Sequence, residues 1–400
     1  MIFSNYIQYT MNNSLNSRDI PTKSLWNKNY ILILFSNFLL YTGVYMLFPV
    51  LHKWCIRTLG LNELMASSIV IAFGLSMFLP GLINNYLVDA FSRKAVCMRS
   101  MLCFALLGLL YPYAGEVWMI VVLRIIQGAL WGIVLMSTGS TLVIDVTPRN
   151  NRDRANTCFA ISGIIGMFAG LFSGVVFGDS FTLEYVTYMS AVLSVCAIFL
   201  VSMVHVSFRA PMQLPLFSLD RFILFRTLLP GLNMMIVPLI LGMIIGCSYH
   251  SFFYLCVGGG FILFLLTGRH ICQKIDGRIA VVLGLSVMLA GMSLLTFSST
   301  KMGESVAGAM IGFATGASMS RFWYIMARMP LHCERGTGYN TYQLLWELGI
   351  MSGIFLGDNY YKSMVQNPYL PVAAAVVLGM VFYVFVVHPH FLRTMKKREE

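Results

Sequence analysis

Gly166-Met167-Phe168-Ala169-Gly170-Leu171-Phe172-Ser173-Gly174 is answered in the second part of the chain by Gly349-Ile350-Met351-Ser352-Gly353-Ile354-Phe355-Leu356-Gly357, glycine for glycine at one constant offset. An arginine stands at the same distance ahead of each ladder, Arg152 in the first copy and Arg335 in the second. Glycines four apart on a helix form a strip that lets another helix approach closely, as small residues do in lipid. The constant offset splits the chain into two repeats, each too apolar to be soluble. This is the pattern of a duplicated membrane carrier whose site lies between its repeats.

Composition agrees. The 400 residues are 58% hydrophobic and only 11% charged, against roughly a quarter charged in water-soluble domains. Apolar runs of about 20 residues, the length that crosses a bilayer, extend over 30–51, 65–87, 95–114, 117–144, 155–177, 185–206, 228–249, 252–267, 279–297, 306–327, 339–356 and 369–387. The expected fold is an all-α membrane protein of twelve transmembrane helices in two pseudo-symmetric six-helix bundles. A membrane barrel would need short alternating segments instead. The bundles are expected at 29–206 and 227–390. A disordered tail (1–28), a central loop (207–226) with an amphipathic stretch from Phe217 to Phe225, and a short C-terminal tail (391–400) complete the chain.

The net charge of +11 reads as topology. Twenty-one of the 27 Lys and Arg lie at the termini and in the loops after even-numbered helices, and only Lys53, Arg57, Lys301 and Lys362 lie in the opposite loops. The positive-inside rule then places both termini in the cytoplasm, which fits a multi-pass protein of the cytoplasmic (inner) membrane. No nucleic-acid partner is implied. The stretch 1–28 lacks the basic start, short apolar core and cleavage site of a secretory signal. The nine cysteines have no paired spacing, so neither a disulfide framework nor a metal site is expected, and no cofactor is expected either. A polytopic enzyme acting on lipid-linked substrates would need His, Asp or Glu clustered at one membrane face. The seven histidines are scattered, with only His388 and His390 close. A carrier is the favoured reading, with such an enzyme and a carrier-like sensor as the alternatives.

Within the spans, charge is costly and marks function. Three such side chains stand well inside helices: Arg124, Arg321 and Glu347. Gln127 and Trp131 follow Arg124 at the third and seventh positions, and Asn340 and Gln343 precede Glu347 at the seventh and fourth, so each set shares a helix face. Asn37, Tyr41 and Tyr45 of the first helix and Asn233 of the seventh extend this into a polar, aromatic-flanked cavity. Arg124, Gln127, Trp131, Asn37, Tyr41, Asn233, Arg321, Asn340 and Gln343 are the expected solute contacts, although snorkelling toward Arg328 competes at Arg321. Two cations against one acid suit an anionic or zwitterionic organic solute. Glu347, the one carboxylate away from helix ends, is the natural carrier if protons couple to transport. At the loop after the second span, Arg93 can pair with Asp145, and Asp89 can accept backbone N–H groups or face the start of the eleventh helix near Gly338.

The segment Asn85-Tyr86-Leu87-Val88-Asp89-Ala90-Phe91-Ser92-Arg93-Lys94 resembles the loop between helices 2 and 3 of the major facilitator superfamily, where Gly-x-Leu-x-Asp-Arg-x-Gly-Arg-Arg is usual. Leu87, Asp89, Arg93 and Lys94 match, while Asn85, Ala90 and Ser92 depart. Arg124-Ile125-Ile126-Gln127-Gly128-Ala129-Leu130-Trp131-Gly132 is similar to that family's Arg-x-x-Gln-Gly-x-x-x-Gly motif, and Asp145 to Pro148 with Arg152 and Arg154 resembles the loop that follows. The resemblance implies alternating access around a midplane site, a small-molecule solute and membrane lipid as partners, a monomer, and a cytoplasmic latch gated by Asp89, Arg93 and Asp145. At the offset of the two repeats Cys272 stands opposite Asp89, so a second latch is expected to be weaker. The family's proton-coupled antiporters often carry a Gly-Pro pair in helix 5. Gly170 to Gly174 has no proline.

Overall fold

The computed structural model describes residues 24–206, 216–217, 222–247, 249–268, 275–298, 300–331, 334–360 and 370–399, and their regular structure is helical throughout. Among the described residues, nine helices are long and apolar enough to cross a membrane: α1 (Lys28–Leu59), α2 (Glu63–Leu82), α3 (Arg93–Tyr113), α4 (Val117–Val146), α5 (Arg149–Ser180), α6 (Leu183–Ser202), α8 (Ser251–Gly268), α9 (Gly277–Phe297) and α12 (Val372–Arg398). A tenth, α7, is a pair of helices, Phe225–Met234 and Ile236–Gly246, bent by 43°. Pro238 explains the bend, because its ring clashes with the carbonyl four residues back, at Met234, and its nitrogen donates no hydrogen bond. Two further long helices, α10 (Lys301–Arg328) and α11 (Arg335–Tyr360), are more polar. With them the long helices among the described residues are consistent with the twelve-helix fold expected from the sequence.

Large apolar side chains on the outside confirm lipid as the solvent. Phe35 is 59% exposed, Phe199 63%, Leu266 70% and Phe385 73%, an apolar coat that no water-soluble monomer carries. Local signals set several helix ends. Asn27 caps α1 by accepting from the Tyr30 N–H, and α1 ends at Gly60, whose φ of 65° is left-handed and free of strain for glycine. The helix of α12 continues through a π-helical turn at Tyr383–Val387 into His388–Glu399, beyond the point where its apolar pattern stops. Most of the central loop, Cys272 with the expected second latch, and residues 1–23 lie outside the described residues.

The glycine ladders organise both halves in the same way. A Cβ at Gly166, Gly170 or Gly174 would overlap the carbonyl oxygens of Phe38, Thr42 and Met46, so α5 lies directly on the backbone of α1. In the second half Gly349, Gly353 and Gly357 meet the carbonyl oxygens of Met235, Leu239 and Met243 on α7. Each contact steps one turn along both helices, which makes α1/α5 and α7/α11 equivalent pairs. Between the halves, Gly74 of α2 seats Met351 of α11, and Gly258 of α8 seats Phe168 of α5.

Candidate solute site between the halves

Glu347 lies at the centre of the contact between the halves, with 0% of its surface exposed. The Tyr45 hydroxyl of α1 donates to its Oε2 at 2.7 Å. Tyr41, one turn earlier, stacks on Tyr45 with ring centroids 5.9 Å apart and meets Trp131 of α4 edge-on at 5.2 Å. Beside this cluster is a cavity of ≈ 10 Å³, lined by residues that include Asn37, Tyr41, Tyr339, Tyr342, Gln343 and Trp346. That volume is about what one water molecule needs, so the site as folded here is closed around itself.

Polar satisfaction is incomplete at this place. Gln343 Oε1, Tyr339 Oη and Trp346 Nε1 are all buried without a hydrogen-bond partner among the described residues, while Tyr41 and Trp131 join Tyr45 in facing the Glu347 carboxylate. A buried polar group left unpaired costs about 1–3 kcal/mol. Three of them from α11, around one cavity, form a lining that calls for a partner from outside the protein.

Arg124 sits in a different environment. Its guanidinium faces the rings of Phe48, Phe73 and Tyr111 at 5.1, 5.2 and 5.3 Å, and among the described residues its Nε and Nη2 have no hydrogen-bond partner. It makes no ion pair with Glu347; Phe48, which also packs on Tyr45 at 5.3 Å, belongs to both surroundings. Cation–π contacts of this kind are worth about 0.5–2 kcal/mol each and hold the charge in place of a carboxylate.

The other expected contacts divide. Gln343, Trp131, Tyr41 and Asn37 lie at the cavity or against its aromatic cluster. Asn37 also ties α1 to α5, its Nδ2 donating to Phe159 O and Ser162 Oγ at 2.9 Å each. Gln127 faces α3, accepting from the Tyr111 hydroxyl and donating to Phe104 O at 3.1 Å. Asn233 donates to Gly379 O of α12 at 3.0 Å, and Asn340 to Phe222 O of the central loop at 2.9 Å. Arg321 packs away from the cavity on Tyr324 (4.8 Å) and Phe391 (5.6 Å).

At the end of the bundle where α1 begins, Arg93 forks between two acids. Its Nη2 meets Asp89 Oδ1 at 2.8 Å, and its Nη1 meets both oxygens of Asp145 at 2.9 and 3.0 Å. Lys94 donates to the carbonyls of Ser202 and Val204 and so caps the end of α6. Across the halves, Arg335 pairs with Asp153 at 3.2 Å. Phe222 of the central loop is buried, seated on Gly81 and edge-on to Phe78 at 6.2 Å.

Residues 33–354, from α1 into α11, match the Major Facilitator Superfamily. The chain belongs to that superfamily. Its members are transporters and not enzymes. Curated relatives include the multidrug resistance protein MdtG of Proteus mirabilis (strain HI4320), 24% identical over 193 residues, which is 47% of each chain. The MdtG of Citrobacter koseri (strain ATCC BAA-895 / CDC 4225-83 / SGSC4696) is 32% identical over 111 residues, 28% of this chain and 27% of the relative. The chain thus spans about half the length of the curated relatives it matches. Among solved structures, the human organic anion transporter MFSD10 has a TM-score of 0.64 at 13% identity, over 88% of this chain and 98% of that one. The nucleoside transporter NupG has a TM-score of 0.62 at 14% identity, over 92% and 99%. At these identities the likeness is one of fold.

Within this superfamily fold, the cavity owes more to the aromatic residues of α11 than the sequence suggests. Tyr339, Tyr342 and Trp346 share a face with Gln343 and Glu347 by helical spacing, and that periodicity is the signal that could have found them. Phe48 and Phe73 carry none, because a phenylalanine holding a cation reads in sequence like any core residue.

Proposed function

We propose that this superfamily member moves a small organic solute across the cytoplasmic membrane by rocking its two halves about the Glu347 cavity. The observation that carries the reading is a cavity lined by helices of both halves beside stacked aromatic rings, in which Gln343, Tyr339 and Trp346 keep polar atoms without a partner among the described residues. Such a lining suits an amphipathic solute with a planar apolar part and a few hydrogen-bonding groups. Arg124, the first residue of the helix 4 motif, adds a preference for an anionic group, and Glu347 is the candidate proton carrier. The relatives named for multidrug resistance and the organic-anion and nucleoside transporters of the same fold are compatible with such a solute. The absence of proline between Gly170 and Gly174 argues against carrying over the drug–proton antiport mechanism unaltered. The basic loops support a cytoplasmic position for both termini, and a monomer is the proposed working unit.

The test is a thermal-shift screen of the purified chain followed by flux in proteoliposomes. A ligand at about 100 times its Kd stabilises the fold by about 2.7 kcal/mol. Hits should be amphipathic, should cross the vesicle membrane by counterflow, and should lose their effect in Gln343→Leu. A ligand that stabilises the protein without any flux would support the sensor reading instead.

A further inference from the structure

The end of the bundle remote from the start of α1 holds a second polar cluster, separate from the solute cavity. His52 near the end of α1, Glu63 at the start of α2 and Asp358 near the end of α11 place one ligand atom each within 4.8 Å of one another. Asp358 is 1% exposed, and neither of its carboxylate oxygens has a hydrogen-bond partner among the described residues. His52 Nε2 approaches Asp358 Oδ2 to 3.0 Å yet lies outside hydrogen-bond geometry. A nitrogen and two carboxylates converge, and among the described residues the deepest carboxylate lacks the hydrogen-bond donors its burial demands.

We propose that His52, Glu63 and Asp358 form a binding site for a divalent transition metal of the zinc class, which clamps the two halves together at this end. Imidazole with two carboxylates is a zinc-type donor set; calcium and magnesium take oxygen ligands alone, and copper(I) favours sulfur. Ligands bound at about 2.0–2.2 Å to a tetrahedral zinc lie roughly 3.3–3.5 Å apart, so small side-chain rotations close the cluster. No metal is expected from the sequence because the spacing is uninformative: His52 and Glu63 come from neighbouring helices, and Asp358 comes from the other repeat. That origin has a consequence for function. Two ligands belong to the first half and one to the second, so the metal binds only while this end is closed, and its affinity difference shifts the population toward that state. Asn359 of α11, donating to Ser67 Oγ of α2 at 2.7 Å, marks the same closed contact. The clamp rests on the alternating-access reading, whereas the metal site does not.

The experiment titrates Zn²⁺ into the purified full chain, prepared without a histidine tag, with Co²⁺ absorption as the record of ligand type. One Zn²⁺ per chain is expected. His52→Gln, Glu63→Gln and Asp358→Asn should each weaken binding by at least about tenfold, the scale on which supporting residues of metal sites act. Unfolding without metal reports whether each variant is folded, and half-buried Glu63 carries the test if the deeper positions fail. Unchanged Zn²⁺ affinity in the folded variants would overturn the site. For the clamp, Ser67→Cys should be labelled by a thiol reagent more slowly under saturating Zn²⁺. Equal labelling with and without Zn²⁺ would overturn the clamp while leaving the flux measurements, and the transport reading they test, untouched.

Discussion

Glu347 and Arg124 are both buried to within 1% of full enclosure, but they are held by different physics, and substitutions at them should separate accordingly. Glu347 accepts from the Tyr45 hydroxyl and is faced by Tyr41 and Trp131. If it carries the coupled proton, Glu347→Gln abolishes pH-driven accumulation in proteoliposomes yet preserves solute exchange, which needs no net proton movement. Full pH-driven transport in that variant would reduce Glu347 to a helix brace. Arg124 is held by three rings, and two of its donor nitrogens have no partner among the described residues. Removing one partner of a buried charged contact costs about 2 kcal/mol or more, so Arg124→Ala should raise the apparent KM for an anionic solute by roughly thirty-fold, more than Glu347→Gln does. An unchanged KM, measured by initial flux, would remove Arg124 from the solute site. Both charges are conspicuous in the sequence because each is expensive in lipid. Sequence could not separate Gln343, which ends at the cavity, from Gln127, Asn233 and Asn340, which bind neighbouring helices or the central loop, because a polar residue on an inward face serves either purpose. Only the positions of backbone acceptors such as Phe104 O, Gly379 O and Phe222 O decide the matter.

Among the elements, the glycine ladders were the most legible feature, since their spacing declares a close approach before any partner is known. The partner itself was not legible: the glycines of α5 and α11 repeat at one offset, but the backbones they touch, Phe38 to Met46 and Met235 to Met243, repeat at another. Close approach makes them sensitive. Gly170→Val and Gly353→Val drive a side chain into the carbonyl oxygens of Thr42 and Leu239, and overpacking of this kind costs about 1–3 kcal/mol or more. Both should unfold at lower temperature and yield less monodisperse protein, by similar amounts, because the two contacts are equivalent. Gly259, where a Cβ meets nothing within 4 Å, is the control, and Gly259→Ala should be neutral. The Arg93 fork, the proposed latch, behaves otherwise. Asp89→Asn leaves Arg93 paired with Asp145 through Nη1, so folding should survive while closure at this end weakens. The expected readout is reduced transport at normal yield and unfolding temperature. A parallel loss of folded protein would mark the Arg93 fork as structural.

For the whole molecule, contacts across the halves occur at both ends: Arg335 with Asp153 and the buried Phe222 at the end where α1 begins, and His52 with Asp358 and Asn359 with Ser67 at the other. The molecule is therefore seen closed, and transport by rocking requires one set of contacts to break at a time. Charge is the ground for expecting the first set to face the cytoplasm. Lys and Arg crowd the termini and the loops after even-numbered helices, and the positive-inside rule is the reason to propose that side as cytoplasmic. Gly115, in the loop between α3 and α4, has open space around it, and Lys397 stands near the end of α12 with its side chain exposed. Neither position supports packing, so a cysteine at either leaves the fold intact. In whole cells an impermeant thiol reagent should label Gly115→Cys above the background of the native cysteines. Lys397→Cys should become reactive only after the membrane is opened. The reverse pattern would invert the molecule: the Arg93 latch would become an external gate, and the His52, Glu63 and Asp358 cluster would face the cytoplasmic metal pool.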